Sequence, residues 1–395
     1  MQSLERGGYT REEVIEVLHA ASRTLDFRYD LLTNQNILKK RLTNVLSASV
    51  ANNALAEIKR TARFSLVEDG TINFLTDRIK PWVRLRLPPR RIIARGNYFL
   101  MTQFPAELEL ELEEEEGGFV EFPQGVFLLS TPPRIADSAG IITREVEAYD
   151  QLQVLIDDKV EDRYTVGQGT NYVVAVKALL DGAGIVNQNL TPTASTLPVV
   201  RDWEPGTSKK IIINDLLGAI NYRSLWFDEN GVAVAMPYVS PADRASEYTY
   251  EINEESVILP GVVDSLDLFA IPNKWVLTVS EPDRAPLTAV YTNENPNSPT
   301  STVSRGRTIV DYREYEAADQ ATLNARAERV AFESSQVYQQ VIFETGIAPY
   351  HSDSDILTLI HPVLGIASKF SEVAWEYDLR PGAVMKHRLR RIVNI

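Results

Sequence analysis

Residues 121–184 read EFPQGVFLLSTPPRIADSAGIITREVEAYDQLQVLIDDKVEDRYTVGQGTNYVVAVKALLDGAG. Val126, Leu128 and Ser130 alternate with Phe127, Leu129 and Thr131, and Ile142, Arg144, Val146 and Ala148 occupy alternate positions of the next run. Period-two patterning of this kind predicts two β-strands. Pro132-Pro133 stops the first, because proline brings no amide donor to a ladder. An extended linker and a short helix, Tyr172–Gly182, should follow, the helix ending at Gly182 and Gly184. Nothing in the stretch has the residue types of an active site.

Upstream, Thr10 and Glu13 form a capping box for an N-terminal helix with the stripe Val14, Val17, Leu18 and Ala21. Strands are expected at Leu25–Leu32, Val45–Val50, Thr61–Val67, Trp82–Leu87, Ala106–Leu112, Gly118–Phe122, Gly125–Thr131 and Ile141–Tyr149. So many in succession point to a closed or nearly closed antiparallel sheet. Arg84 and Arg86 could face Glu109 and Glu111 across a ladder; equally, the two runs could be separate charged edge strands. The Glu113–Glu116 run reads as a solvated hairpin tip.

Downstream, Thr207–Asn221 is expected to be a helix with Ile211, Ile212, Asp215, Leu216 and Ala219 spaced for one buried face. Ser224–Phe227 and Val232–Pro237 flank an Asn-Gly turn and predict a hairpin. Asn187–Pro205 reads as an extended connection. Strands return at Asp264–Phe269, Trp275–Ser280 and Thr308–Tyr312, with a polar loop, Thr292–Arg307, expected to be mobile or ordered by a partner. The longest helix, Asp319–Tyr338, carries a narrow stripe of Leu323, Ala327, Val330, Ala331 and Ser334 suited to packing on a sheet. Strands at Gln340–Thr345, Ile356–His361, Phe370–Leu379 and Met385–Asn394 follow. The fold class is therefore mainly β with an α+β insert. The expected divisions are an N-terminal helical segment (1–23), a first β-barrel-like domain (24–157), an α/β insert (158–262) and a second β-barrel-like domain with the long helix (263–395).

Composition narrows function by exclusion. The 395 residues include no cysteine, so disulfides, thiolate nucleophiles and cysteine metal sites are ruled out. No apolar run reaches the roughly 18–20 residues of a membrane span, and MQSLERGGYTREE has no signal-peptide core, which predicts a chain made and kept soluble. A net charge of −14 argues against general nucleic-acid binding, which rests on lysine and arginine; an acidic wall would repel a nucleic acid, which suits a conduit better than a receptor. Lys386–Arg391 and the Arg84–Arg95 region read as exposed strand faces or subunit contacts. There is no P-loop (Gly206-Thr-Ser-Lys-Lys lacks its frame), no HExxH, no GxSxG and no GxGxxG; Val166–Thr170 reads as a helix lead-in. Carboxylate pairs for glycoside hydrolysis cannot be judged by counting. Metal ligands could gather only around His351, Asp353, Asp355 and His361, where a polar turn before the next strand is the simpler reading. No catalytic, cofactor-binding or metal residue is assigned.

The order of elements resembles that of bacteriophage tail-hub or baseplate-hub proteins, the group that includes late control protein D and the N-terminal module of tail-associated lysins. The resemblance covers roughly Leu25–Ile395 and is most specific at Phe122–Val160 and Thr207–Pro237; Ala321–Thr345, Ser354–Ile360 and Ala383–Val393 also fit. It leaves out the helix from Thr10. It implies a virion protein at the tail tip, made in the host cytoplasm, and a homotrimer whose six barrels form a pseudo-sixfold ring. Such a ring joins a distal tail protein or tail-tube ring to threefold tip or central fibre proteins and surrounds the tape-measure protein and DNA. It implies no enzymatic role and no cofactor; with no extension past Ile395, any lysin activity would belong to another protein. The alternatives are a tail-associated cell-wall hydrolase and a receptor-binding tail protein.

Overall fold

The computed structural model describes residues 1–20, 22–88, 90–93, 112–115, 118–136, 138–253, 256–266, 268–280, 285–335 and 339–392, with backbone alone at 90–93 and 112–115. Helix α1 (Arg11–His19) carries the expected capping box. Thr10 Oγ1 accepts the Glu13 amide at 3.3 Å, and the Glu13 carboxylate accepts the Thr10 amide at 2.7 Å. Val14 and Leu18 are buried; Ala21 lies outside the described residues. Then come β1 (Leu25–Leu32), β2 (Leu38–Leu42), β3 (Val45–Asn53), β4 (Arg60–Val67), β5 (Arg78–Arg86), β6 (Arg90–Ile93), β7 (Leu112–Glu115), β8 (Phe119–Pro123), β9 (Phe127–Leu129), β10 (Ile135–Ala136) and β11 (Ile142–Tyr149).

The middle of the chain holds α2 (Leu152–Asp157), β12 (Tyr164–Val166), α3 (Tyr172–Gly182), β13 (Gln188–Leu190), β14 (Arg201–Trp203), α4 (Lys209–Ala219), β15 (Trp226–Phe227) and β16 (Ala233–Ala235). The last part comprises β17 (Tyr248–Glu251), β18 (Val263–Leu266), β19 (Lys274–Val279), β20 (Leu287–Thr292), α5 (Thr302–Arg305), β21 (Val310–Glu314), α6 (Gln320–Ser335), β22 (Gln339–Gly346), β23 (Ile356–His361), β24 (Ile366–Asp378) and β25 (Val384–Arg391). The architecture is mainly β with a mixed α/β insert, as expected.

One 15-stranded sheet unites the two ends of the chain, in the order β18-β22-β25-β24-β3-β4-β11-β9-β5-β1-β2, with β8, β10, β17 and β23 paired off this path. The join is β24. Its first half, from Ile366 to Ser371, pairs with β23, and its last residues, Ala374–Asp378, pair with β3. A single core follows the sheet, packing Phe64, Val83 and Phe127 from one half with Tyr250, Phe343 and Phe370 from the other. Two smaller cores are separate. In the insert, Val176 and Leu180 of α3 meet Ile212 and Leu216 of α4, with Trp203 and Phe227 beside them. In the third, Trp275, Leu277 and Ala289 of β19 and β20 lie under Leu323, Ala327 and Ala331 of α6.

Several expectations are corrected. Both edges of β5 are occupied, by β1 and by β8 with β9, so no ladder to residues 107–112 can form there. Arg84 instead bonds Asp26 at 2.5 Å and Glu121 at 3.0 Å; Glu109 and Glu111 lie outside the described residues. Glu113–Glu115 are not a hairpin tip but part of β7, paired with β6 so that Arg90 lies opposite Glu115. The linker after β11 contains α2, whose Leu152 and Leu155 are fully buried. Asn187–Pro205 includes β13 and β14, each paired in a small sheet. In α4, Ile211 is exposed, and Ile213 and Leu217 are buried in its place.

The polar loop between β20 and β21 is ordered from within. Asn293, Ser298, Thr300 and Ser301 are buried, Asn293 Nδ2 donates to Ser298 Oγ at 2.9 Å, and Asn273 Nδ2 reaches the Thr300 carbonyl at 3.2 Å. Its hydroxyl and amide side chains satisfy one another, which a reading of polarity as mobility overlooks.

Candidate functional site

The second half of the sheet encloses four titratable side chains that sequence spacing does not bring together. His351 and Asp355 lie on the loop between β22 and β23, Glu372 on β24 and His387 on β25. All four are at most 1% exposed. Alternation explains the strand members. In β25 the inward positions are Met385, His387 and Leu389, so His387 shares a face with two core residues.

Glu372 is the centre. Its Oε2 lies 2.7 Å from His351 Nδ1, and its Oε1 lies 2.6 Å from His387 Nδ1. His351 Nδ1 is also 3.0 Å from Asp355 Oδ2, and its Nε2 lies 2.8 Å from the Tyr250 hydroxyl. Asp355 Oδ1 is met at 2.7 Å by the amine of Met1. The two histidines occupy different states. Burial alone would lower the His351 pKa, but Glu372, Tyr250 and Asp355 outweigh it and hold the value well above the ordinary one. The imidazolium therefore donates from both nitrogens. Burial wins at His387, whose pKa is lowered despite Glu372. Its Nδ1 is hydrogen-bonded to Glu372 Oε1 at 2.6 Å, and its Nε2 lies 2.9 Å from the Thr345 hydroxyl, which donates to the Gly346 carbonyl at 2.7 Å.

The carboxylates are held ionised in the same way. Burial would raise both, yet Asp355 is lowered by His351 and the Met1 amine, and Glu372 by His351 and His387. Two carboxylates are thus balanced by an imidazolium and an ammonium, which is how buried charge survives without water.

Of the sequence candidates, the structure keeps His351 and Asp355 here and separates the other two. Asp353 turns to Arg223, 2.5 Å away. His361 caps the turn after β23, its Nδ1 accepting the Leu364 amide at 3.2 Å. Glu372 and His387 were missed; inward-facing polar residues within alternating apolar strands were the signal. Among the described residues, His351, Glu372 and His387 have ligand atoms within 4.8 Å of one another and could hold a metal. Every ring nitrogen of the pair is already engaged in a hydrogen bond, so a cation would have to displace the bonds that His351 makes to Asp355 and His387 makes to Glu372. As it stands the arrangement is a buried ion network that ties β17, β22, β24 and β25 together. It has no hydrolytic geometry open to solvent.

No protein-family model matches the chain, and no curated protein matches it by sequence. Solved structures match it over nearly its whole length. A tail protein from Neisseria meningitidis superposes with a TM-score of 0.62 at 12% identity, over 92% of this chain and 96% of that one. The 43 kDa tail protein of prophage MuSo2 from Shewanella oneidensis gives 0.57 at 9% identity, over 92% and 98%. Prophage tail protein gp18 from Listeria monocytogenes gives 0.50 at 12% identity, over 92% and 94%. The chain has the fold of phage and prophage tail proteins.

Proposed function

We propose that this protein is a structural, non-enzymatic component of a phage-type tail: the homotrimeric hub of a tail tip or baseplate, carried in the virion. The observation behind this reading is the match to tail proteins over nearly the full length of both chains, which covers the sheet, the insert and the third core together. The arrangement of the chain into an N-terminal helical segment, two barrel-like domains and an α/β insert belongs to the same proposal, and the separate insert core supports it. Three copies would present six barrel-like units, matching a sixfold distal tail or tube ring on one side and threefold tip or fibre proteins on the other. The tape-measure protein and DNA would pass through the centre. The net charge of −14 supports a lumen of neutral or negative potential, since a basic wall would hold DNA rather than release it.

Light scattering on the purified protein should give three times the mass of the chain, and negative-stain images a threefold particle with an axial hole. A stable monomer that cleaves cell-wall material would sink the reading. An assembled structure with the Arg84–Arg95 and Lys386–Arg391 clusters lining the bore would overturn the lumen proposal alone.

A further inference from the structure

A cleft of about 380 Å³ opens where the insert, α6 and the β24–β25 face meet. Five cationic side chains line it, Lys59, Arg223, Arg244, Arg329 and Arg390, in a molecule with a large negative net charge. Glu333 is the one carboxylate in the lining among the described residues. Three of the cations are accounted for. Arg223 meets Asp353 at 2.5 Å, Arg244 meets Glu247 at 3.2 Å and Arg329 meets Glu333 at 2.9 Å. Lys59 and Arg390 have no ion pair or side-chain hydrogen bond among the described residues.

Lys59 is the more telling of the two. It is 7% exposed, and its ammonium has only the Trp226 ring, 5.7 Å to the centroid, the same ring that carries the Arg223 guanidinium at 4.2 Å. Burial pulls its pKa down, and Asp353 opposes that only in part. An ammonium without a counter-ion on a largely buried side chain that lines a cleft is unfavourable. A second unmatched donor lies in the same wall. The Tyr238 hydroxyl is buried without a hydrogen-bond partner, and the Arg329 guanidinium sits 4.2 Å over its ring. Cations without partners and a buried unpaired hydroxyl on residues lining one cavity form the complement of a multiply charged oxyanion.

We propose that this cleft binds a phosphate-class oxyanion, with Lys59 and Arg390 supplying the charge and Tyr238 a hydrogen bond. The site joins elements from all three cores, so the bound anion cements the insert and α6 to the sheet. The inference does not depend on the tail reading, and each can fail alone.

The test is titration calorimetry and thermal unfolding of the full chain with inorganic phosphate, against sodium chloride at equal ionic strength. Phosphate at ten times its dissociation constant should raise Tm by about 1.5–2 °C. Lys59→Met should raise Tm without phosphate, because it removes a buried unpaired charge, and weaken phosphate binding at least tenfold. Since phosphate also stabilises proteins by exclusion from their surface, the calorimetric affinity and the difference between wild type and variant are decisive. Should Lys59→Met not fold, Arg390→Gln carries the same affinity readout. Absent binding heat, or equal affinity in the variant, overturns the proposal. So does stabilisation by hexaglutamate but not by phosphate, which would assign the cleft to an acidic segment of a protein partner.

Discussion

Glu372 has a histidine at each oxygen: Oε1 is hydrogen-bonded to His387 Nδ1 at 2.6 Å, and Oε2 forms an ion pair with His351 at 2.7 Å. Replacing it with glutamine leaves the His351 imidazolium with one carboxylate fewer in a fully buried site. Glu372→Gln should therefore lose about 3–5 kcal/mol in urea denaturation at neutral pH. The pH dependence has two limbs. The His351 pKa is raised by folding, so its contribution is complete below the unfolded value near ~6.5 and disappears as pH climbs through the raised value. Asp355 and Glu372 are lowered, so theirs is present above about pH 4 and disappears as pH falls through the lowered values. Urea midpoints against pH should show a maximum between about pH 5 and 6.5. His351→Gln should flatten the alkaline limb; an unchanged limb would mean that His351 is not the group responsible.

At the scale of elements, the insert touches the sheet through a tight turn. Gly231, in the turn between β15 and β16, has φ +79°, and a Cβ there would come within 2.7 Å of Gln151 Nε2 and 2.8 Å of Val126 Cγ2. Its carbonyl accepts from that same Gln151 Nε2 at 2.8 Å. Gly231→Ala should cost about 1–3 kcal/mol, read as a lowered Tm. Thr10→Ala should cost about 1 kcal/mol by losing the cap of α1.

Elements were legible where one face is buried and the run is long. The turn before β16 and the bounds of α3 could be read from Asn-Gly and from Gly182. β2 could not, because Lys39, Lys40 and Arg41 hide the alternation and the strand exists by pairing with β1. α2, at six residues, is too short to display a helical period. The ion network was half legible. His351 and Asp355 are neighbours in sequence, whereas Glu372 and His387 reach them only through the register of β24 against β25, which no local pattern encodes.

For the whole molecule, three cores of unequal size predict unequal protection. Amides of β3, β4, β24 and β25 lie in the interior of the large sheet and should exchange at the global unfolding free energy. Those of β19, β20 and β21 belong to a three-stranded sheet covered by α6 and should exchange earlier. Hydrogen exchange followed by mass spectrometry would show this directly; a single uniform rate would mean the three cores unfold as one.

The sharing of β24 between the two halves also sets an order of events during synthesis. Asn53, the last residue of β3, pairs with Ala374 of β24, a separation of 374 − 53 = 321 residues. At about 5–20 residues per second, the β3 edge waits roughly 16–60 s on the ribosome before its partner exists. Throughout that interval its hydrogen-bonding groups are open to other chains. A pairing this distant in sequence raises the contact order of the fold, which is the property that slows folding and leaves an unpaired edge exposed while the chain is made.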